Sequence, residues 1–195
     1  GKIDIPELIV EVRRRQVKEQ GQPLVQKAIF RVVNNRRLFH SVLRSASLAQ
    51  RPFEKDGFVR HLPLFLSGLA DFRSLPAIAE KPFRDAFKTI SQTAARAGAS
   101  ARPGARVRRA AFYAGCLIDF AYPGMGEDVV KVLNAGGVEV TFPEAQTCCG
   151  APARYSGAFE VAAQNAIDSL EALLAEEVDW VVSACPTCTT ALKHE

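Results

Sequence analysis

The spacing of apolar residues changes twice along this chain, and the changes divide it. Asp4-Ile5-Pro6-Glu7 has the make-up of a helix start, with proline in the first turn and acids beside it, and Ile5, Leu8, Ile9 and Val12 then mark one helical face. This helix is predicted to run to about residue 20, where Gly21 and Pro23 break it. A second helix is predicted over residues 23–45, because Leu24, Ala28 and Val32, and beside them Val25, Ile29 and Val33, recur every four residues. Residues 51–82 are punctuated by Pro52, Gly57, Pro63, Gly68, Pro76 and Pro82 and read as irregular, with only short pieces of helix or strand. Residues 83–97 read as one more helix. The small residues and breakers of 98–104 form the best domain boundary in the chain, so the expectation is a mainly helical region over 1–100 and a separate domain over 105–195.

After that boundary the pattern becomes an alternation of strand and helix. Residues 107–113 read as a strand ending at Ala114-Gly115-Cys116, residues 126–134 as a helix closed by Gly136-Gly137, and residues 138–142 as a second strand. A long loop carrying Gln146-Thr147-Cys148-Cys149-Gly150-Ala151-Pro152 follows. Phe159, Ala162, Ala163, Ala166, Ile167, Leu170, Leu173 and Leu174 then trace the clearest amphipathic helix of the sequence. Residues 180–184 are a third strand that runs into Cys185-Pro186-Thr187-Cys188 and a last helix. Strands separated by helices of this length pair in parallel, so the predicted class is α/β, a βαβαβ half of a doubly wound fold preceded by helices. Ligands of such sheets bind beyond the carboxyl ends of the strands, which is where all five cysteines fall.

Composition sharpens this reading. At 195 residues with 48% hydrophobic positions the chain can bury a core without disulfides or metal, so a cysteine cluster calls for a chemical explanation. No apolar run is long enough to span a membrane. The net charge of +4 conceals a split: residues 1–109 hold 22 Lys and Arg against 9 Asp and Glu, and residues 110–195 hold 3 against 12. The basic charges alternate with apolar residues at helical spacing and lack an aromatic ladder. They are therefore expected to form a solvated face that docks on the acidic half rather than a nucleic-acid surface, with peripheral membrane association left open. The first residues lack a starting Met and any signal-peptide plan, so the reading is a cytoplasmic protein and a piece of a longer one.

The cysteines follow the pattern C-x31-CC-x35-CPTC, and Gly150 follows the pair directly. In a reducing compartment, disulfides are disfavoured for an odd set of five thiols. Cys185-Pro186-Thr187-Cys188 at a helix start suits thiol redox chemistry, since free N–H groups and the helix dipole favour thiolates there, but it leaves Cys116, Cys148 and Cys149 unexplained. Zinc takes four ligands, and adjacent Cys148 and Cys149 are poor partners on one small ion. An iron–sulfur cluster suits five soft thiolates best, with zinc as the alternative.

At these residues the chain resembles the cysteine-rich CCG-domain iron–sulfur family, which includes the CCG-bearing component of heterodisulfide reductase, the iron–sulfur subunits of glycolate oxidase and anaerobic glycerol-3-phosphate dehydrogenase, and lactate-utilization iron–sulfur proteins. The motif carries over as Cys116, then Cys148-Cys149-Gly150, then Cys185 and Cys188, and Phe142-Pro143-Glu144-Ala145-Gln146-Thr147 resembles the lactate-utilization branch. The resemblance implies that these five cysteines bind an iron–sulfur cluster, of 4Fe–4S type or noncubane as in the heterodisulfide reductase branch. It also implies an electron-transfer module of an oxidoreductase acting on lactate or a related 2-hydroxy acid, working with other modules or subunits. Members usually carry two such repeats, and Lys2-Ile3-Asp4-Ile5-Pro6 resembles the stretch that follows a two-cluster ferredoxin module, so this chain is expected to be one repeat behind a missing ferredoxin module. The rival readings are a zinc-stabilised, non-catalytic interaction domain and a heterodisulfide or thiol redox module.

Other chemistry is sparse. His40 and His61 read as surface or helix residues, and His194 lies near the CPTC helix. No dinucleotide fingerprint follows the first strand, so bound NAD is not expected. Asp119, Tyr122, Arg154 and Tyr155 flank the cysteine segments and are candidates for lining a pocket.

Overall fold

The structure, a computed structural model, describes residues 4–59, 74–90 and 106–194. The predicted helix over 83–97 is described as far as residue 90 and is helical only over Phe83–Phe87, while the rest of it, the connector over 98–104 and His61 lie outside the described residues. Three helices come first: α1 (Ile5–Gln20), α2 (Leu24–Asn34) and α3 (Arg36–Ala49). Asp4 caps α1, its carboxylate accepting from the Glu7 N–H. The single helix predicted over residues 23–45 is two. Asn35 leaves helical geometry and its side chain accepts from the Leu38 N–H, so it ends α2 and caps α3. Periodicity alone could not show this break, since the apolar spacing continues across it.

A 3₁₀ turn (Arg51–Phe53) leads into a small antiparallel sheet of β1 (Glu54–Lys55), β2 (Phe58–Val59) and β3 (Leu75–Pro76), within the stretch expected to be irregular. The short helix α4 (Phe83–Phe87) follows.

The third part is the α/β unit. Strands β4 (Arg108–Phe112), β5 (Val138–Thr141) and β6 (Trp180–Val182) form a parallel sheet in the order β5-β4-β6, with Ala110 opposite both Val140 and Trp180. Helices α5 (Gly115–Phe120) and α6 (Pro123–Ala135) connect β4 to β5, and α7 (Ala151–Tyr155) and α8 (Phe159–Leu174) connect β5 to β6. Helix α9 (Pro186–His194) follows β6. The fold class is α/β, as the alternation predicts. Two short helices, α5 and α7, occupy stretches expected to be loop; each begins beside a glycine in the left-handed region, a start that apolar spacing does not reveal.

Side chains leave the sheet on alternate faces and build a core on each. On one face Phe112, Val140, Ile118, Val130 and Phe142 pack around Phe83 of α4, which is fully buried. On the other, Ala111, Tyr113, Cys149, Ala151, Leu173, Cys188 and Ala191 pack together. Two cysteines are thus part of a packed layer. Among the described residues, no helix is long and apolar enough to cross a membrane.

Candidate functional site

The three strands all point their carboxyl ends at the same side of the sheet, and each chain exit delivers cysteine. Cys116 lies in the first turn of α5, Cys148 and Cys149 lie in the loop between β5 and α7, and Cys185 and Cys188 lie at the start of α9. All five are free thiols. They touch in series: Cys185 to Cys188, Cys188 to Cys149, Cys149 to Cys148, and Cys148 to Cys116. Cys148, Cys149 and Cys188 are buried, and Cys116 and Cys185 at the two ends are partly exposed. Among the described residues, no three His, Cys, Asp or Glu side chains stand arranged to hold one metal ion, so the thiols form a chain of contacts rather than a closed shell.

The glycines of the motif have steric reasons. Gly150 has φ +84°, and a Cβ there would lie 2.7 Å from the Ala162 carbonyl oxygen of α8. Only glycine lets the cysteine pair turn so tightly against that helix. Gly115, with φ +64°, would place a Cβ 2.8 Å from the Cys188 sulfur, so its bare backbone is what lets the Cys116 and Cys188 segments meet.

Two buried side chains hold the segments in register. Gln146 donates to the carbonyls of Phe112 and Pro143 and accepts from the Ala114 N–H at 2.9 Å, tying the loop before Cys148 to the turn before Cys116. Tyr113 donates to the Thr147 carbonyl at 2.7 Å, and burial pushes its hydroxyl far above the usual range.

Crowding sets the thiol acidities. The hydrogen bond to Cys116 and then burial push Cys148 up to about 12, partly offset by Cys149 and by the Gly150 N–H. Cys149 is pushed up to about 11, chiefly by its bond to Cys148, and Cys188 is raised further by its bond to Cys149 and by burial. Burial raises Cys185. Cys116 alone is lowered, because Cys148 donates to it at the end of the series. Gathering several thiolates here requires positive charge among them.

Some of that charge is close by. A recess with room for one water-sized group is lined by Cys116 and Cys148 together with Arg36, His40 and Arg84. Arg84 pairs with Asp119 of α5, the two side chains being 12% and 3% exposed. Burial raises the Asp119 carboxyl, and the Arg84 charge and hydrogen bonds pull it back. Burial first, and then Arg84, Arg36 and Arg44, lower His40 to about 4, so it is neutral near pH 7. A second opening, beside Cys149 and Gly150, is lined by Arg154, Phe159 and a row of alanines from α8 and α9.

Of the predicted site residues, the structure brings all five cysteines together, and Asp119 and Arg154 face the two openings. Tyr122 is exposed, and the Tyr155 carbonyl instead accepts from Arg13 of α1. His40, read from sequence as an ordinary helix residue, lines the recess at Cys116. Arg36, Arg84 and Gln146 carry no sequence signal beyond, for Gln146, its place beside the motif.

Residues 110–193 match the family model of the cysteine-rich domain CCG. The chain is similar to an uncharacterized iron–sulfur protein of Methanocaldococcus jannaschii, 42% identical over 87 residues, which cover 45% of this chain and 18% of that protein. A second uncharacterized iron–sulfur protein, from Methanococcus maripaludis, is 38% identical with the same coverage. Lactate utilization protein A 2 of Bacillus cereus is 39% identical over 79 residues, covering 40% of this chain and 32% of that protein. The match therefore spans less than a third of each of these relatives. No solved structure matches the chain at a significant level.

Proposed function

We propose that the chain is an iron–sulfur electron-transfer module, with Cys116, Cys148, Cys149, Cys185 and Cys188 as the ligands of a 4Fe–4S or noncubane cluster. The observation that carries this reading is the series of five touching thiols at one end of the parallel sheet. The donor set fits the group: the ligands are soft, they outnumber the four that zinc takes, and the raised pKa of four of them favours losing protons only to a cationic centre. Such a cluster supplies one-electron transfer when bound. The residues of the chain do the rest. Gly115 and Gly150 let the segments approach, Gln146 and Tyr113 fix them, and Arg36 and Arg84 place positive charge beside Cys116 and Cys148.

The iron–sulfur names of the relatives support the same reading. The similarity to lactate utilization protein A supports placing the module in a multi-component oxidoreductase acting on lactate or a related 2-hydroxy acid, and a cytoplasmic location is part of the same proposal. Iron and acid-labile sulfide analysis of the anaerobically purified full chain is the test. About four irons per chain support the reading, and stoichiometric zinc without iron-derived absorbance overturns it. Single Cys→Ser substitutions then separate five ligands from four. In a five-thiolate site the Cys148→Ser and Cys149→Ser variants both change the iron content or the paramagnetic resonance spectrum, whereas in a four-thiolate site one of them is silent.

A further inference from the structure

We infer that Arg84, which lies outside the matched CCG segment, is a positioning residue of the cysteine centre and sets the separation of Cys116 from Cys148. Helix α4 is seated by Phe83, whose ring meets Phe112 and Phe142 edge-on at 5.3 Å, so the neighbouring Arg84 starts from a fixed point. The Arg84 N–H donates to one Asp119 oxygen at 3.0 Å and its Nε to the other at 2.7 Å. Asp119 lies three residues beyond Cys116, one turn along α5. The far side of the same guanidinium reaches the Glu144 carbonyl at 3.4 Å, four residues before Cys148. Arg36 of α3 donates to that carbonyl at 2.9 Å, and Lys88 pairs with the Glu144 carboxylate at 3.3 Å.

One planar group thus spans the two segments that deliver the touching thiols Cys116 and Cys148. A lysine offers a single point charge and cannot reproduce this fork. A buried ion pair that served only to hold the fold would act on global stability alone; a strap acts on the thiol pair itself.

The inference rests on the thiols being a ligand set, but its test needs no metal. In the full chain carrying Cys149→Ser, Cys185→Ser and Cys188→Ser, the remaining pair is equilibrated with glutathione buffers. The Cys116 and Cys148 thiols form one disulfide as one oxidised glutathione is reduced to two thiols, and the half-oxidation point gives the effective concentration of the pair. Arg84→Gln lowers that concentration by about tenfold or more, since small displacements of paired groups have effects of this order. Arg84→Lys, which keeps the charge, falls with it. Phe30→Ala, a change in the separate buried cluster of Phe30, Ala153 and Ala158, leaves the value unaltered and shows what destabilisation alone does. An Arg84→Gln value equal to the unaltered chain or to Phe30→Ala, or an Arg84→Lys value that remains unaltered, overturns the inference. If Arg84→Gln does not fold, Asp119→Asn carries the test with the same expected fall, and no fall overturns it. The iron–sulfur reading fails separately, on the metal analysis of the unaltered chain.

Discussion

Helices α1 to α3 and the parallel-sheet unit use their apolar residues in opposite ways. In the sheet unit the large side chains are inside: Phe112, Tyr113, Ile118 and Val130 are almost fully buried. In the helices the most regular stripes face outward, with Leu24 83% and Val25 70% exposed and Ile5, Leu8, Ile9 and Val12 also exposed. Their inward contacts are few, Val10 and Phe30 being the buried apolar anchors. What the helices send toward the sheet unit is largely basic: Arg13 to the Tyr155 carbonyl and Arg36 to the Glu144 carbonyl, with Glu7 of α1 meeting Arg154 from the other side. A core holds one region, and polar arms attach the other together with two aromatic contacts, Phe30 on Ala153 and Ala158 and Phe39 on Phe120. Helix α4 breaks this division, since Phe83 belongs to the sheet's core and Arg84 to its cysteine end.

Removing Phe83 tests that exception and has the largest expected effect. Its ring touches Phe87, Phe112 and Phe142 and leaves no exposed surface. Phe83→Ala is expected to cost about 3–5 kcal/mol in denaturant unfolding, the range for a buried phenylalanine truncated to leave a cavity. A cost below about 1 kcal/mol, the level of a half-exposed contact, would mean that α4 belongs with the outer helices instead.

A smaller effect, still inside the sheet unit, is expected at the motif glycine. Gly150→Ala places a Cβ 2.7 Å from the Ala162 carbonyl oxygen and 3.0 Å from its Cα, which are backbone atoms that cannot swing aside, and it does so at φ +84°. A loss of about 1–3 kcal/mol is expected from the clash and the left-handed backbone together. The iron content of the purified chain should fall as well, because Cys148 and Cys149 turn at this point. A variant with unaltered stability would show that the loop is free to shift, and the distinction between a rigid sheet unit and loosely attached helices would lose its sharpest local support.

How much of this could be read from residue order follows the same division. Strand and helix alternation, with five cysteines at strand exits, defined the parallel sheet and the end at which the thiols meet, because period-two and period-3.6 patterns report local burial. The break at Asn35 escaped, since a cap works through one side chain while the apolar spacing runs on. The exposed face of α1 escaped for a related reason: a stripe shows that one side of a helix is apolar, not that something covers it. Arg84 lay furthest from reach. Its partners Asp119 and Glu144 are 35 and 60 residues away, and only the packing of Phe83 brings the three together.

The third test compares thiols within the centre. Alkylation needs the thiolate, so the reaction rate at a given pH follows the ionised fraction. Cys116 is lowered by the bond it accepts from Cys148, whereas Cys148 and Cys149 are pushed up to about 12 and 11. In metal-free, reduced protein at pH 8, Cys116 should be labelled first, with Cys148 and Cys149 slower by an order of magnitude or more, each unit of acidity being tenfold in ionised fraction. The sign for stability is opposite. Thiols whose folded pKa is raised stabilise the fold below about pH 8.5, and that contribution is lost as pH climbs toward their folded values. Mass mapping of labelled peptides reads the first effect; equal labelling of Cys116 and Cys148 would remove the thiol series.

The smallest effect is expected where the two regions differ most. Leu24 and Val25 lie at the start of α2 with most of their surface in water, so replacing either by serine removes little buried area. Hydrophobic stabilisation scales with apolar surface taken from solvent, at roughly 25 cal/mol per Å², and a side chain that is already exposed has little of that contribution to lose. Serine is a somewhat poorer helix former than leucine, though in the first turn its hydroxyl can serve unpaired N–H groups. The unfolding free energy of Leu24→Ser and of Val25→Ser should therefore stay within about 0.5 kcal/mol of the unaltered chain. Losses above about 2 kcal/mol, the scale of a buried leucine, would show that this face is covered in solution. In that case the outward stripes of α1 and α2 would have to be counted as core, and the helices would be held by more than their arginines and the anchors Phe30 and Phe39.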